Sequence, residues 1–373
     1  MKLTIMTKAI LASTIWLFLI GGAQAKYEWM DDTALCDWAK QKKSRGYVFE
    51  LNKRGVECDG VGDLDVGQLE EGHNDVFIVT KSGLEGYHDI LSNRDAKSIY
   101  LGADLYLSRK CNATRKYPAV IIQHGSGSPN SDWYPRLAKA LAANNIIALV
   151  PDSHTARGIL GTSTDQSQLS KAARLYDTFA AFRLLQELPC VDADRVGLTG
   201  YSFGGTISID SVETVLASKL GNGYSYKATL PVYPDCQSSF ENTKPTNTKV
   251  HMLLGGADDY TPASYCLDRM PRMQSAGWDV TTTVYEGAHH GFISSNLPRK
   301  FDGWTFKGCG VGVITDEGYE KSDTYGVSTK DGWASVVETL VKECATNGIT
   351  YGGNRELSNT VMSYTLDYFK SNL

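Results

Sequence analysis

From Asp75 onward the chain alternates between two kinds of apolar pattern. Short runs rich in β-branched and aromatic residues read as strands: Asp75–Thr80, Ile99–Leu107, Pro118–Gln123, Asn145–Val150, Val196–Thr199, Lys227–Tyr233, Lys249–Leu254 and Val280–Tyr285. Between and after them, Trp133–Asn144, Gln168–Leu188, Gly205–Leu220, Ala263–Ser275 and Glu356–Leu373 carry helical periodicity. The run Pro118-Ala119-Val120-Ile121-Ile122-Gln123 is apolar almost throughout, as in a strand buried on both faces. Strands separated by helices imply right-handed crossovers and a mostly parallel sheet covered on both sides, an α/β fold. In such sheets ligands sit beyond the carboxyl ends of the strands.

Two stretches break the alternation. Residues 26–72 are polar and lack strong strand runs, with a short helix expected at Ala34–Ala39; they read as an N-terminal appendage. Residues 293–350 read as an insertion with a helix near Asp331–Cys344. The main domain is therefore expected to span 73–373. The first 25 residues form a separate pattern: Lys2 and Lys8, an apolar run from Ala9 to Ile20, then Ala23-Gln24-Ala25. This is a cleavable export signal, too short for a membrane span, and it points to a periplasmic or secreted protein starting at Lys26.

Composition adds exclusions. The 373 residues are 42% hydrophobic and 21% charged, with net charge −5 and no basic stripe, so nucleic acid is not an expected partner. Eight cysteines in an exported chain suggest disulfides, and Cys36–Cys58 and Cys309–Cys344 are the natural pairs for the appendage and the insertion. No cysteine or histidine spacing fits zinc, and no metal or organic cofactor is implied. Asn112-Ala113-Thr114 is a glycosylation sequon only in a eukaryotic secretory pathway.

The candidate chemistry centres on Gly200-Tyr201-Ser202-Phe203-Gly204-Gly205. A strand precedes it and a helix follows. A G-x-S-x-G turn lifts a serine hydroxyl clear of the backbone, and the helix start behind it offers free N–H groups to an oxyanion. Serine needs a base, and histidine, oriented by an acid, supplies one near neutral pH. The acid should follow the strand Lys249–Leu254, where Asp258 and Asp259 stand side by side; Asp258, four residues before Pro262, has the familiar spacing, which leaves Asp259 as a turn or capping residue. The base should follow Val280–Tyr285, where periodicity does not choose between His289 and His290. The oxyanion donors expected are the N–H of Phe203 and that of Ser126, in the glycine loop His124–Ser128.

These segments together resemble the dienelactone hydrolase family of α/β-hydrolases: Tyr117–Gly127, Asp194–Gly205, Gly256–Pro262 and Tyr285–Phe292. The resemblance covers about residues 97–295 and the last helix. It implies an α/β-hydrolase fold, a Ser202-Asp258-His290 triad with the histidine before Gly291-Phe292 as base, and a small-molecule ester as substrate. The founding members carry a cysteine nucleophile where this chain has Ser202, which directs the expectation to a plain ester or lactone. Cys236 and Cys266 fall on loops flanking the acid and are expected to bridge. The alternatives are a serine peptidase, which would carry a larger extra domain, and a binding protein on the same fold. Tyr100, Trp133, Tyr134, Arg157, Tyr201 and Tyr260 are candidate pocket residues.

Overall fold

A computed structural model describes residues 30–127 and 129–373. The expected export signal, residues 1–25, and Ser128 lie outside the described residues. Nine strands carry the body of the chain: β1 Gly72–Lys81, β2 Ser98–Leu107, β3 Tyr117–Gln123, β4 Ile147–Pro151, β5 Val191–Tyr201, β6 Ala228–Val232, β7 Ser238–Phe240, β8 Lys249–Gly255 and β9 Asp279–Tyr285. All but β7 join one eight-stranded sheet in the order β1-β2-β4-β3-β5-β6-β8-β9. β1, β2 and β4 pair antiparallel; every other neighbour is parallel.

The period of two along β3 divides the core. Ala119 and Ile121 pack on one face with Phe179 and Phe182 of the helix Lys171–Glu187. Val120 and Ile122 pack on the other with Leu137 and Leu141 of the helix Trp133–Ala143, and with Val361 and Phe369 of the helix Arg355–Asn372. Both faces of the central strands are thus closed, which is why their sequences are apolar without alternation.

The stretch Gly205–Leu220 is two helices rather than one, Phe203–Asp210 and Thr214–Leu220. The chain leaves the helix to pair with residues 244–246: Thr214 N–H donates to the Lys244 carbonyl at 2.7 Å, and Thr246 N–H to that of Val212 at 2.8 Å. The Glu213 carboxylate accepts from the Thr243 hydroxyl and the Lys244 N–H. These partners lie some thirty residues away in sequence, beyond the reach of local periodicity.

Residues 30–71 form two helices, Asp32–Lys42 and Arg45–Arg54, closed by a Cys36–Cys58 disulfide. Arg45 reaches the sheet through Asp104 and Asp152, at 2.8 and 2.9 Å. Beyond β9, five short strands surround a helix Trp333–Glu343: β10 Arg299–Thr305, β11 Gly312–Ile314, β12 Glu320–Ser322, β13 Val327–Ser328 and β14 Thr346–Tyr351. β11 lies parallel to β7, so this segment extends a second sheet, β13-β12-β11-β7, onto the body. Sequence periodicity marks the helix but not β11, β12 and β13, because pieces of two or three residues carry no readable alternation. Disulfides join Cys236–Cys266, Cys309–Cys344 and Cys111–Cys190; the sequence reading named no partner for the last two cysteines.

Candidate active site

Ser202 occupies the turn between β5 and the helix Phe203–Asp210 with φ 55° and ψ −119°, a conformation that costs a non-glycine residue energy. Its neighbours make the bend feasible. A Cβ on Gly200 would lie 2.0 Å from the Gly204 carbonyl oxygen. One on Gly204 would lie 2.4 Å from the Gln123 carbonyl oxygen. Only glycine permits this approach of backbone to backbone.

Three side chains from three loops meet here. The Ser202 hydroxyl lies 2.8 Å from His290 Nε2, and His290 Nδ1 lies 2.8 Å from Asp258 Oδ2. The histidine is 2% exposed, so water does not compete for either contact. Asp258 Oδ1 accepts the N–H groups of Tyr260 and Thr261, both at 2.9 Å, and Oδ2 accepts the Thr261 hydroxyl at 3.1 Å. Four hydrogen bonds on one carboxylate hold it in a single orientation. Tyr260 and Tyr233 pack their rings on the imidazole, at centroid distances of 4.6 and 4.8 Å.

The adjacent residues point elsewhere. His289 Nδ1 contacts the Ala257 carbonyl. Asp259 takes the N–H and hydroxyl of Thr350 on β14, at 2.7 and 2.9 Å, so it anchors the insertion rather than capping the helix that follows. Burial opposes the charge of Asp259, but these hydrogen bonds and Lys300 outweigh it and hold the carboxyl below its usual range.

Phe203 is the first residue of its helix, so its N–H has no acceptor within the helix. Gly125 runs so close to the serine that a Cβ there would lie 3.2 Å from Ser202 Cβ, which brings the following Ser126 to the mouth of the same pocket. His124 fixes this loop from beneath. Burial and the neighbouring Arg174 hold its imidazole well below the ordinary histidine range, so it is neutral. Its Nδ1–H then donates to the Gly125 carbonyl at 2.8 Å while Nε2 accepts the Ser153 N–H at 3.2 Å.

Arg174 is a part of the site that sequence reasoning missed. Fully buried, it donates to the His124 carbonyl and contacts His154 Nε2 at 3.1 Å, and its guanidinium lies 5.1 Å from the Phe203 ring centre. Burial lowers its pKa to about 10, which leaves it charged at neutral pH. In sequence it is one polar residue inside a helical stretch, with no local feature to single it out.

Two hollows open on either side of Ser202. One, of about 490 Å³, is lined by His290, Tyr134, Tyr201, Tyr233 and residues 293–296. The other, of about 110 Å³, lies between the body and the insertion. Of the six candidate pocket residues, Trp133, Tyr134, Tyr201 and Tyr260 line the larger hollow. Tyr100 instead binds the backbone of Cys58, and Arg157 pairs with Asp177 at 2.8 Å. His73, Asp75 and Asp104 are close enough to share a metal ion, but they sit on β1 and β2, and Asp104 already pairs with Arg45. Among the described residues no helix is long and apolar enough to cross a membrane.

A model of the dienelactone hydrolase family matches residues 103–342, well over half of the chain. A curated relative from Aquifex pyrophilus, named Protein usf, is 24% identical over 203 residues, covering 51% of this chain and 84% of its own. Another, from Bradyrhizobium, is described as a probable 2-oxo-3-(5-oxofuran-2-ylidene)propanoate lactonase; it is 25% identical over 217 residues, covering 55% of this chain and 82% of its own. A solved thermophilic esterase from Thermogutta terrifontis, with propionate bound, is 18% identical with a TM-score of 0.43, over 52% of this chain and 81% of that one.

Proposed function

Because the chain belongs to the dienelactone hydrolase family, we propose that it is an exported serine hydrolase that cleaves carboxylic esters or lactones through an acyl-enzyme. The observation that carries this reading is the unbroken relay from the Ser202 hydroxyl through His290 to Asp258, with 2.8 Å at each step. Ser202 Oγ attacks the acyl carbon while His290 Nε2 takes its proton. Asp258 holds the Nδ1–H and balances the imidazolium. The N–H groups of Phe203 and Ser126 receive the developing oxyanion. The C–O bond to the alcohol breaks, and the leaving oxygen takes the proton from His290. Water, deprotonated by the same nitrogen, then releases the acid and restores Ser202, so one ester and one water become one acid and one alcohol.

Export is supported by the N-terminal signal pattern and by four disulfides, which persist in oxidising compartments. The lactonase description of one relative agrees with the ester or lactone class. The test is labelling by a fluorophosphonate probe together with hydrolysis of 4-nitrophenyl acetate. Both should occur in the natural chain and neither in Ser202→Ala. Retention of most activity by that variant would remove the serine from the mechanism.

A further inference from the structure

The two hollows are not equivalent with respect to the histidine. His290 lines the 490 Å³ cleft and is absent from the walls of the 110 Å³ cavity. The proton that His290 Nε2 carries must reach the leaving oxygen, so the alcohol belongs on the side that His290 lines. Of the two proposed oxyanion donors, Ser126 lines both hollows and Phe203 lines only the smaller one. The acyl chain, on the opposite side of the reacting carbon, therefore enters that cavity.

Its walls and its floor differ in chemistry. Trp333, Val337 and Leu340 of the insertion helix, with Phe306, supply apolar walls. Lys171, Glu320, Asp235 and Ser238 supply a polar floor. Glu320 Oε1 takes Lys171 Nζ at 2.7 Å and the Ser238 hydroxyl. Its second oxygen has no hydrogen-bonding partner among the described residues. Asp235 accepts the Gln237 N–H on Oδ1, at 3.0 Å. The lining and the groups behind it are balanced in charge: Glu320, Asp235 and Asp210 against Lys171, Lys321 and Arg269. Burial alone would lower the Lys171 pKa, yet the three carboxylates hold it above its ordinary value. The open oxygen of Glu320 accepts from a hydrogen-bond donor and repels a carboxylate placed against it.

The insertion is built in as a wall rather than hinged as a flap. Trp333 Nε1 donates to the Gln166 carbonyl at 2.8 Å and Trp333 N–H to Glu85 at 2.9 Å, while the Gln237 side chain holds the carbonyls of Phe306 and Gly310. The cavity is thus preformed.

We infer that this cavity is an acyl-binding subsite for esters whose acid part has an apolar body and ends in an uncharged hydroxyl, which donates to Glu320. The inference rests on the serine-hydrolase reading and adds the class of acid to it.

A series with one leaving group tests it: 4-nitrophenyl esters of 3-phenylpropanoic, 3-(4-hydroxyphenyl)propanoic and 3-(4-carboxyphenyl)propanoic acids, assayed on the natural chain. The hydroxylated ester should exceed the unsubstituted one in kcat/KM by about tenfold or more, and the carboxylated ester should fall below both. In Glu320→Gln the ratio between the first two esters should shrink. Equal rates for the hydroxylated and unsubstituted esters, or preference for the carboxylate, would overturn the inference while leaving the hydrolase reading intact. Failure of all three esters together with failure of fluorophosphonate labelling would overturn both.

Discussion

Asp259 holds Thr350 by two hydrogen bonds, one to its N–H and one to its hydroxyl. The next residue but one, Gly352, donates its N–H to the His290 carbonyl at 2.9 Å. One strand of the insertion is thereby stitched to both the acid loop and the histidine loop. Loop residues held at both ends keep a hydrogen-bond relay aligned without moving at each turnover.

Asp259→Ala should therefore act at a distance. Loss of a charge-assisted pair costs about 1–3 kcal/mol, read as a lower midpoint in thermal unfolding. Activity should fall mainly in kcat, because the residue aligns groups and does not touch substrate. A fall confined to KM would argue against this positioning role.

The three members of the relay should differ in severity. Ser202→Ala and His290→Ala should each lower kcat by about 10⁶-fold, and the double variant should be no worse, since the groups act as a unit. Asp258→Asn keeps the shape but disturbs the tautomer, and should cost about 10⁴-fold. Steady-state hydrolysis of 4-nitrophenyl acetate measures all four. Additive losses in the double variant would mean that the two residues act independently.

Glu213 gives the chain a stability that depends on pH. Burial raises its pKa to about 7, with hydrogen bonds from Thr243 and Lys244 opposing the rise. The unfolded chain releases this proton near pH 4.5, whereas the folded one keeps it until about 7. Between those values the native state binds more protons, so stability falls as pH rises through that window and levels off above it. The loss should be about 3 kcal/mol at most. Urea unfolding at pH 4.5 and pH 8 should show the slope in the natural chain and a smaller one in Glu213→Gln. Identical slopes would assign the dependence to other groups.

The Cys111–Cys190 disulfide spans 79 residues and sits at the start of β3, where Tyr117 N–H meets the Cys190 carbonyl, at the opposite end of the sheet from Ser202. Replacing both cysteines by serine should lower stability by about 4 kcal/mol through the loss of loop-closure entropy. The kcat of the folded variant should stay close to that of the natural chain. A matching fall in kcat would mean that the distortion travels the length of the sheet.

The amino-acid order alone determined the central strands, because a strand closed on both faces must be apolar at nearly every position, as Ala119–Ile122 are. It determined the serine turn for a related reason: the clash that excludes a side chain at Gly200 is with Gly204 of the same turn, so a glycine marks it. The family resemblance was legible in the same short segments. Tertiary structure decided the rest. His289 and His290 are chemically identical neighbours, as are Asp258 and Asp259; the turns that carry them aim one of each pair at Ser202 and the other at Ala257 or Thr350. Arg174, the broken helix at Ser211–Glu213 and the short strands of the insertion depend on partners far along the chain. No periodicity within a window of residues records such partners, because their contacts exist only once the sheet has brought those loops to one end.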